Sequence, residues 1–221
     1  MTQILLVRHG ETDWNKAQRL QGHIDIGLNE QGIIQAKLLG SALAQEKIDI
    51  AYSSDLSRAL DTANTITAHH NVPTFIDVSL RERCYGEIQG MTYQEIEQQL
   101  PDNHRAWHSR NPDFQPLGGE TLRQFYERVT TSIERIAKNH LGQVILIVAH
   151  GGVLDCMYRY ATQMDITEKR KVELLNTSLN RIRYHGNGFE IESWGDVSHL
   201  QEQAALDEVD ANKSSVPWLL P

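Results

Sequence analysis

Only two cysteines occur in the 221 residues, Cys84 and Cys156, and they form no C-x-x-C pair. That rules out a disulfide framework and a cysteine-bound zinc site, and it fits a reducing compartment. Long apolar runs are missing too: no stretch approaches the roughly 20 residues that span a bilayer. The apolar segment from Ile4 to Val7, close behind Met1, is too short for the core of a secretory signal. A cytoplasmic location is expected. Positive charge is in deficit, with 21 Lys+Arg against 29 Asp+Glu and a formal net charge of -8. Without a concentrated basic face, this balance excludes nucleic acid and anionic membrane as partners. It does not exclude a small phosphorylated substrate, because a few arginines set the local potential of a cleft. No internal repeat or low-complexity linker is present.

What remains is an ordinary globular composition, 40% hydrophobic and 23% charged. The length suits one α/β domain over residues 1–221 with an elaborated loop. Ile4 to Val7 reads as a buried strand. Gln31 to Glu46 then places Ile34, Leu38, Leu39, Ala42 and Leu43 at helical spacing. Ile48 to Ser53 reads as a second strand, followed by a helix from Leu56 to Ala68 with Ser54 or Asp55 as its N-cap. Thr74 to Ile76 is a third, short strand. Val144 to Ala149 is continuously apolar and β-branched, as in a central strand covered on both faces. Leu179 to Tyr184 and Phe189 to Trp194 flank His185-Gly186-Asn187-Gly188 as a closing hairpin. The tail after Gly195 is polar and is expected to be only partly ordered.

Between these units the pattern becomes irregular. From about residue 84 to 119, prolines at 101, 112 and 116 interrupt the chain, and only one modest helix, Thr92 to Leu100, is expected; this segment reads as an inserted lid. Thr92 with Glu95, and Thr121 with Gln124, match the capping box. The second box opens an amphipathic helix to about Asn139, with Leu122, Phe125, Val129, Ile133 and Ile136 along one face. The expected architecture is a three-layer α/β/α sandwich with a mainly parallel sheet and a small lid.

In such a sheet ligands bind beyond the carboxyl ends of the strands, where both Arg8-His9-Gly10 and His150-Gly151-Gly152 fall. The glycines let backbone approach an anion, and the helix after His150 aims its N–H groups at the same place. Arg8 and Arg58 offer planar forks that match phosphate oxygens. A neutral imidazole is a competent nucleophile near pH 7. Glu82, between Arg81 and Arg83, is the candidate proton donor for a leaving alkoxide.

These residues closely resemble the histidine phosphatase superfamily, which includes the phosphoglycerate mutases. The resemblance lies in Leu6-Val7-Arg8-His9-Gly10-Glu11-Thr12-x-Trp14-Asn15, Arg19-Leu20-Gln21-Gly22, Ser53-Ser54-Asp55-Leu56-x-Arg58-Ala59, Leu80-Arg81-Glu82 and Ala149-His150-Gly151-Gly152, in that order. It implies that His9 becomes phosphorylated, that Arg8, Arg58 and His150 hold the phosphoryl oxygens, and that Glu82 is the acid/base. It further implies that Asn15, Gln21, Gly22 and Gly151 border the phosphate or substrate, and that Tyr85 lies on the substrate side. Cys84 stands where the mutases usually carry histidine. The lid is short, and Gly118-Gly119-Glu120-Thr121 resembles a segment of phosphatase members. Hydrolysis of small phosphomonoesters, without metal or other cofactor, is therefore the expected reaction. The alternatives are interconversion of 2- and 3-phosphoglycerate and, from another class, an inactive protein that binds a phosphorylated ligand. Metal binding by His9 and His150 competes weakly, since no third ligand sits at a recognisable spacing. Oligomeric state is not legible, and a homodimer is compatible with everything above. Arg105, Trp107 and Arg110 of the lid either contact substrate or lie in a solvated loop and are left out of the site, and Lys169-Arg170-Lys171 is expected on a solvated helix face.

Overall fold

The computed structural model describes residues 1–201 and 205–207. Among these residues six strands form one sheet in the order β3-β2-β4-β1-β5-β6. They are β1 (Thr2–Arg8), β2 (Ile50–Ser53), β3 (Thr74–Ile76), β4 (Val144–Ala149), β5 (Leu179–Tyr184) and β6 (Phe189–Asp196). The first four pair in parallel, whereas β5 and β6 add antiparallel to β1 as a hairpin, so the sheet is mixed, with four of its six strands parallel. The helices are α1 (Asp13–Lys16), α2 (Glu30–Leu43), α3 (Ser57–Thr67), α4 (Tyr93–Gln99), α5 (Pro101–His108), α6 (Leu122–Asn139) and α7 (Gly151–Thr162).

Side-chain alternation along the two central strands builds the three layers. Ile4, Leu6, Ile145, Ile147 and Ala149 face one core with Phe125, Val129 and Ile133 of α6 and Val153 and Met157 of α7. Leu5, Val7, Leu146 and Val148 face the other, with Leu39 and Leu43 of α2 and Ala59, Ala63 and Ile66 of α3. Both capping boxes of the lid region form, at Thr92 and Thr121.

Several expectations need correction. The buried face of α2 is Gly32, Gln35, Ala36, Leu39, Gly40 and Leu43, while Ile34 is exposed. Glycine spacing rather than apolar periodicity sets this rotation. A Cβ on Gly10 would lie 2.5 Å from the Gly32 carbonyl, and one on Gly32 would overlap the Glu11 backbone. The first turn of α2 therefore lies directly on the loop that follows β1. The N-cap of α3 is Leu56, with no side-chain cap of its own; Asp25 accepts from Ser57 N at 2.8 Å and does that work from a distant loop. The lid holds two helices rather than one, because Pro101 occupies the first turn of α5, where a missing N–H costs nothing. Residues 169–171 are not helical, and Arg170 is buried in an ion pair with Asp207 at 2.7 Å. Of the tail, Gly195 and Asp196 belong to β6 and Leu200 is buried; residues 202–204 and 208–221 lie outside the described residues.

Gly32→Ala is expected to lower stability by about 1–3 kcal/mol through overpacking and to reduce turnover by moving the loop after β1. Thermal melting and a phosphatase assay read both effects, and an unchanged melt would show that the contact is loose.

Candidate active site

The β1–β4 pairing places Arg8 opposite Ala149, and His9 N donates to Ala149 O at 3.0 Å. The next residue on each strand is a histidine, so the register alone brings His9 and His150 together. Their ring centroids lie 5.2 Å apart at an interplanar angle of 62°. Both are buried, as are Arg8 and Arg58. The Nδ1 atom of His9 lies 2.7 Å from the Gly10 carbonyl, which can only accept, so this nitrogen carries the hydrogen and Nε2 presents the lone pair. His150, the N-cap residue of α7, makes no side-chain cap, and neither of its ring nitrogens has a hydrogen-bond partner among the described residues.

The arginines are held by backbone carbonyls. Arg8 donates from Nη1 to Leu174 O and, at 3.0 Å, to Leu206 O. Arg58 donates from Nη2 to Gly22 O at 2.8 Å and from Nη1 to Ile24 O at 3.0 Å. Gly22 thus serves Arg58 through its carbonyl. Gln21 is buried beside it, and its Oε1 has no partner among the described residues. Asn15 is buried in α1, with its Oδ1 accepting from Thr12 N and Thr12 Oγ1, both at 3.0 Å, which fixes the turn after the His9 loop.

Glu82 reaches the same end of the sheet from the other side. Its Oε1 accepts from Arg83 N at 2.7 Å and its Oε2 from Gly152 N at 3.0 Å. Gly151 and Gly152 form the first turn of α7; a Cβ on Gly152 would overlap the Glu82 carboxyl and meet the Phe125 ring at 2.9 Å. Only glycine lets the carboxyl sit on that helix end. His23, half-buried, contacts the Glu82 carbonyl through Nε2 at 2.9 Å.

A recess adjoins this site and shares Gly152 with it. Tyr85 lines the recess rather than the imidazole pair, with its ring 4.8 Å from that of Trp107. Arg83 is buried between them, its Cζ 5.0 Å from the Trp107 ring centroid, and donates to Glu120 O and Phe114 O, each at 3.0 Å. No carboxylate pairs with it among the described residues, and burial lowers the pKa of its guanidinium. Trp107 and Arg110 line this recess with Arg170, while Arg105 stays exposed against Asp102. Sequence patterning does not decide whether Trp107 and Arg110 meet substrate or solvent, because lid packing assembles the recess. Arg83 was legible only as a flank of Glu82.

Electrostatics sets the protonation of the imidazoles. Burial first, and then Arg58 and Arg8, hold His9 well below the ordinary value of 6.5, against a smaller opposing effect of the Gly10 carbonyl. Burial, Arg58, His9 and Arg8 do the same to His150. Neutral imidazoles beside two guanidiniums can offer one nucleophilic nitrogen and several donors to an anion. Among the described residues no three His, Cys, Asp or Glu side chains are placed to hold a metal ion, and no helix is long and apolar enough to cross a membrane.

Comparison with known proteins agrees with this geometry. The model of the histidine phosphatase superfamily (branch 1) matches residues 4–197. Phosphoglycerate mutase-like protein 4 of Arabidopsis thaliana is 43% identical over 209 residues, covering 92% of this chain and 89% of its own. The metal-independent phosphoserine phosphatase of the same plant is 42% identical over 209 residues, covering 93% and 86%. Among solved structures, YhfR of Bacillus stearothermophilus superposes with a TM-score of 0.85 at 31% identity, covering 91% of this chain and 100% of its own.

Ring titration of His9 and His150 by NMR is expected to give midpoints below 6.5. The unfolded chain then binds more protons than the folded one beneath that pH, so this contribution to stability is complete above about 6.5 and is lost as pH falls toward the folded midpoints. A melting temperature that rises on acidification through this range would contradict the burial of neutral imidazoles.

Proposed function

Because the chain belongs to the histidine phosphatase superfamily, branch 1, we propose that it hydrolyses small phosphomonoesters bearing a carboxylate, phosphoserine first among them. The observation that carries the substrate class is Arg83. This buried guanidinium has no acidic partner among the described residues and makes no hydrogen bond there through Nη1, in a recess that touches the helix end holding Glu82. An unpaired buried charge is costly, and a substrate carboxylate offsets that cost with two parallel hydrogen bonds. The metal-independent phosphoserine phosphatase among the relatives gives the identity of the substrate its independent support.

In this reading the phosphate sits against His150, Arg8, Arg58 and the first N–H groups of α7, where fixed donors meet the charge of the transferring group. Nε2 of His9 attacks phosphorus while the bond to the serine oxygen breaks, and Glu82 gives that oxygen its proton. A dianion held close by favours a proton on the carboxyl beforehand. Serine then departs, Glu82 takes a proton from water, the water oxygen bonds to phosphorus, and the N–P bond breaks to restore His9. Charge stabilisation comes from arginines and a helix end, so the proposed reaction needs no divalent ion.

Two outcomes are expected. Phosphate release from phosphoserine survives exhaustive chelation, and recovery of a lost activity by one added metal would oppose the mechanism. Arg83→Met lowers kcat/KM for phosphoserine by about 10- to 100-fold, the value of charge-assisted hydrogen bonds, mainly through KM. With p-nitrophenyl phosphate, which has no carboxylate, the same variant stays within about threefold of wild type. Equal losses on both substrates would make Arg83 a packing residue only.

A further inference from the structure

We infer that Arg128 of α6 is a positioning residue for the proton donor: it fixes the main chain that carries Glu82 and ties it to the lid through Glu120. The inference rests on the Glu82 role proposed above and deepens it.

Glu82 stands on a segment that no sheet holds. After β3 the chain makes a single 3-10 turn, Val78–Leu80, and residues 81–85 then run without regular structure. Carbonyls at the end of such a turn have no partner within it and need donors from elsewhere. Arg128 supplies them. Its Nη1 donates to Ser79 O at 2.9 Å and to Arg81 O at 3.1 Å, and its Nη2 to Glu82 O at 3.3 Å. One planar fork thus gathers the carbonyls around the proton donor, an arrangement that a lysine does not reproduce. His23 adds a contact to the Glu82 carbonyl at 2.9 Å, but it serves that one acceptor.

The fork is aimed from its other side as well. Nη2 also meets both carboxylate oxygens of Glu120, at 2.7 and 3.0 Å, and the guanidinium lies 5.1 Å from the Phe125 ring centroid. Phe125 is the ring beside Gly152, whose N–H holds Oε2 of Glu82. Glu120 in turn belongs to the lid joint: its N–H donates to Cys84 O at 2.9 Å and its carbonyl accepts from Arg83 Nε at 3.0 Å. The segment Gly118-Gly119-Glu120-Thr121 thereby gains a task, since it delivers the carboxylate that orients Arg128. A carboxyl that hands a proton to a leaving oxygen must lie within hydrogen-bond reach of it, and a displacement of about 1 Å costs up to about 100-fold. The carbonyls that hold Arg8 and Arg58 belong to other segments, at Gly22, Ile24, Leu174 and Leu206, so loosening Arg128 moves the proton donor and leaves the phosphate pocket standing.

The test compares kcat/KM for phosphoserine, glycerol 2-phosphate and p-nitrophenyl phosphate. This ratio covers only the steps up to departure of the leaving group, so the later attack of water does not enter it. The first two esters release basic alkoxides, and the third an aryl oxide that needs little help from an acid. Arg128→Gln is expected to lower kcat/KM about 10- to 100-fold for the two alkyl esters and to leave p-nitrophenyl phosphate within about threefold. In a Glu82→Gln background, the same substitution is expected to change the phosphoserine value by less than about threefold, because the group it positions is already gone. Arg128→Lys, which keeps the charge without the fork, is expected to show the same leaving-group pattern, and it carries the comparison should Arg128→Gln not fold. Equal losses on all three esters, a loss confined to phosphoserine, losses that multiply with Glu82→Gln, or wild-type rates in Arg128→Lys each overturn the assignment. Glu82→Gln that itself lowers alkyl and aryl esters equally refutes the proposed proton donor and this inference with it, a result distinct from a failure of Arg128 alone.

Discussion

Four groups able to carry positive charge, His9, His150, Arg8 and Arg58, are buried at one end of the sheet. Burial first, and then the two guanidiniums, hold both imidazoles well below the ordinary pKa. Everything else at the site follows from this constraint. A neutral His9 with its Nδ1 hydrogen committed to the Gly10 carbonyl has one reactive nitrogen. In the proposed function a phosphate supplies oxygens and charge that match these donors. The backbone carbonyls of Gly22, Ile24, Leu174 and Leu206 orient the arginines.

The parallel register of β1 and β4 creates that crowding; the two strand ends were legible in the sequence, the register was not. The continuous apolar runs Ile4 to Val7 and Val144 to Ala149 read as buried strands, each followed by histidine and glycine, and the structure makes them neighbours. The helix starts at Thr92 and Thr121 were equally legible, because capping boxes are local chemistry. The rotation of α2 was not: Ile34 looks apolar enough to bury, but close approach at Gly10 and Gly32 decides which face turns inward. The cap of α3 was hidden for a similar reason, since Asp25 reaches Ser57 across 32 positions of sequence.

The recess shows where local patterning stops being informative. Arg83, Trp107, Arg110, Asp155 and Arg170 come from four separate parts of the chain and have no common period. Trp107 is held by a hydrogen bond from its Nε1 to Tyr93 Oη at 2.8 Å, and Arg170 by Asp207 near the end of the described chain. Gly118-Gly119, which sequence resemblance associates with phosphatases, is a joint: Glu120 N donates to Cys84 O and Glu87 N to Leu117 O, each at 2.9 Å, fastening the lid beside Tyr85. In the proposed function the sheet end carries the chemistry, and the lid selects the ester.

The central claim is that the phosphoryl group passes through Nε2 of His9. Phosphohistidine survives alkali, so a single turnover of phosphoserine stopped in base and followed by peptide mass mapping tests it directly. The account predicts a transient phosphoryl adduct on the peptide carrying His9, formed and lost at rates consistent with turnover and absent from His9→Ala. An adduct on the His150 peptide instead, or active turnover by His9→Ala, would contradict it.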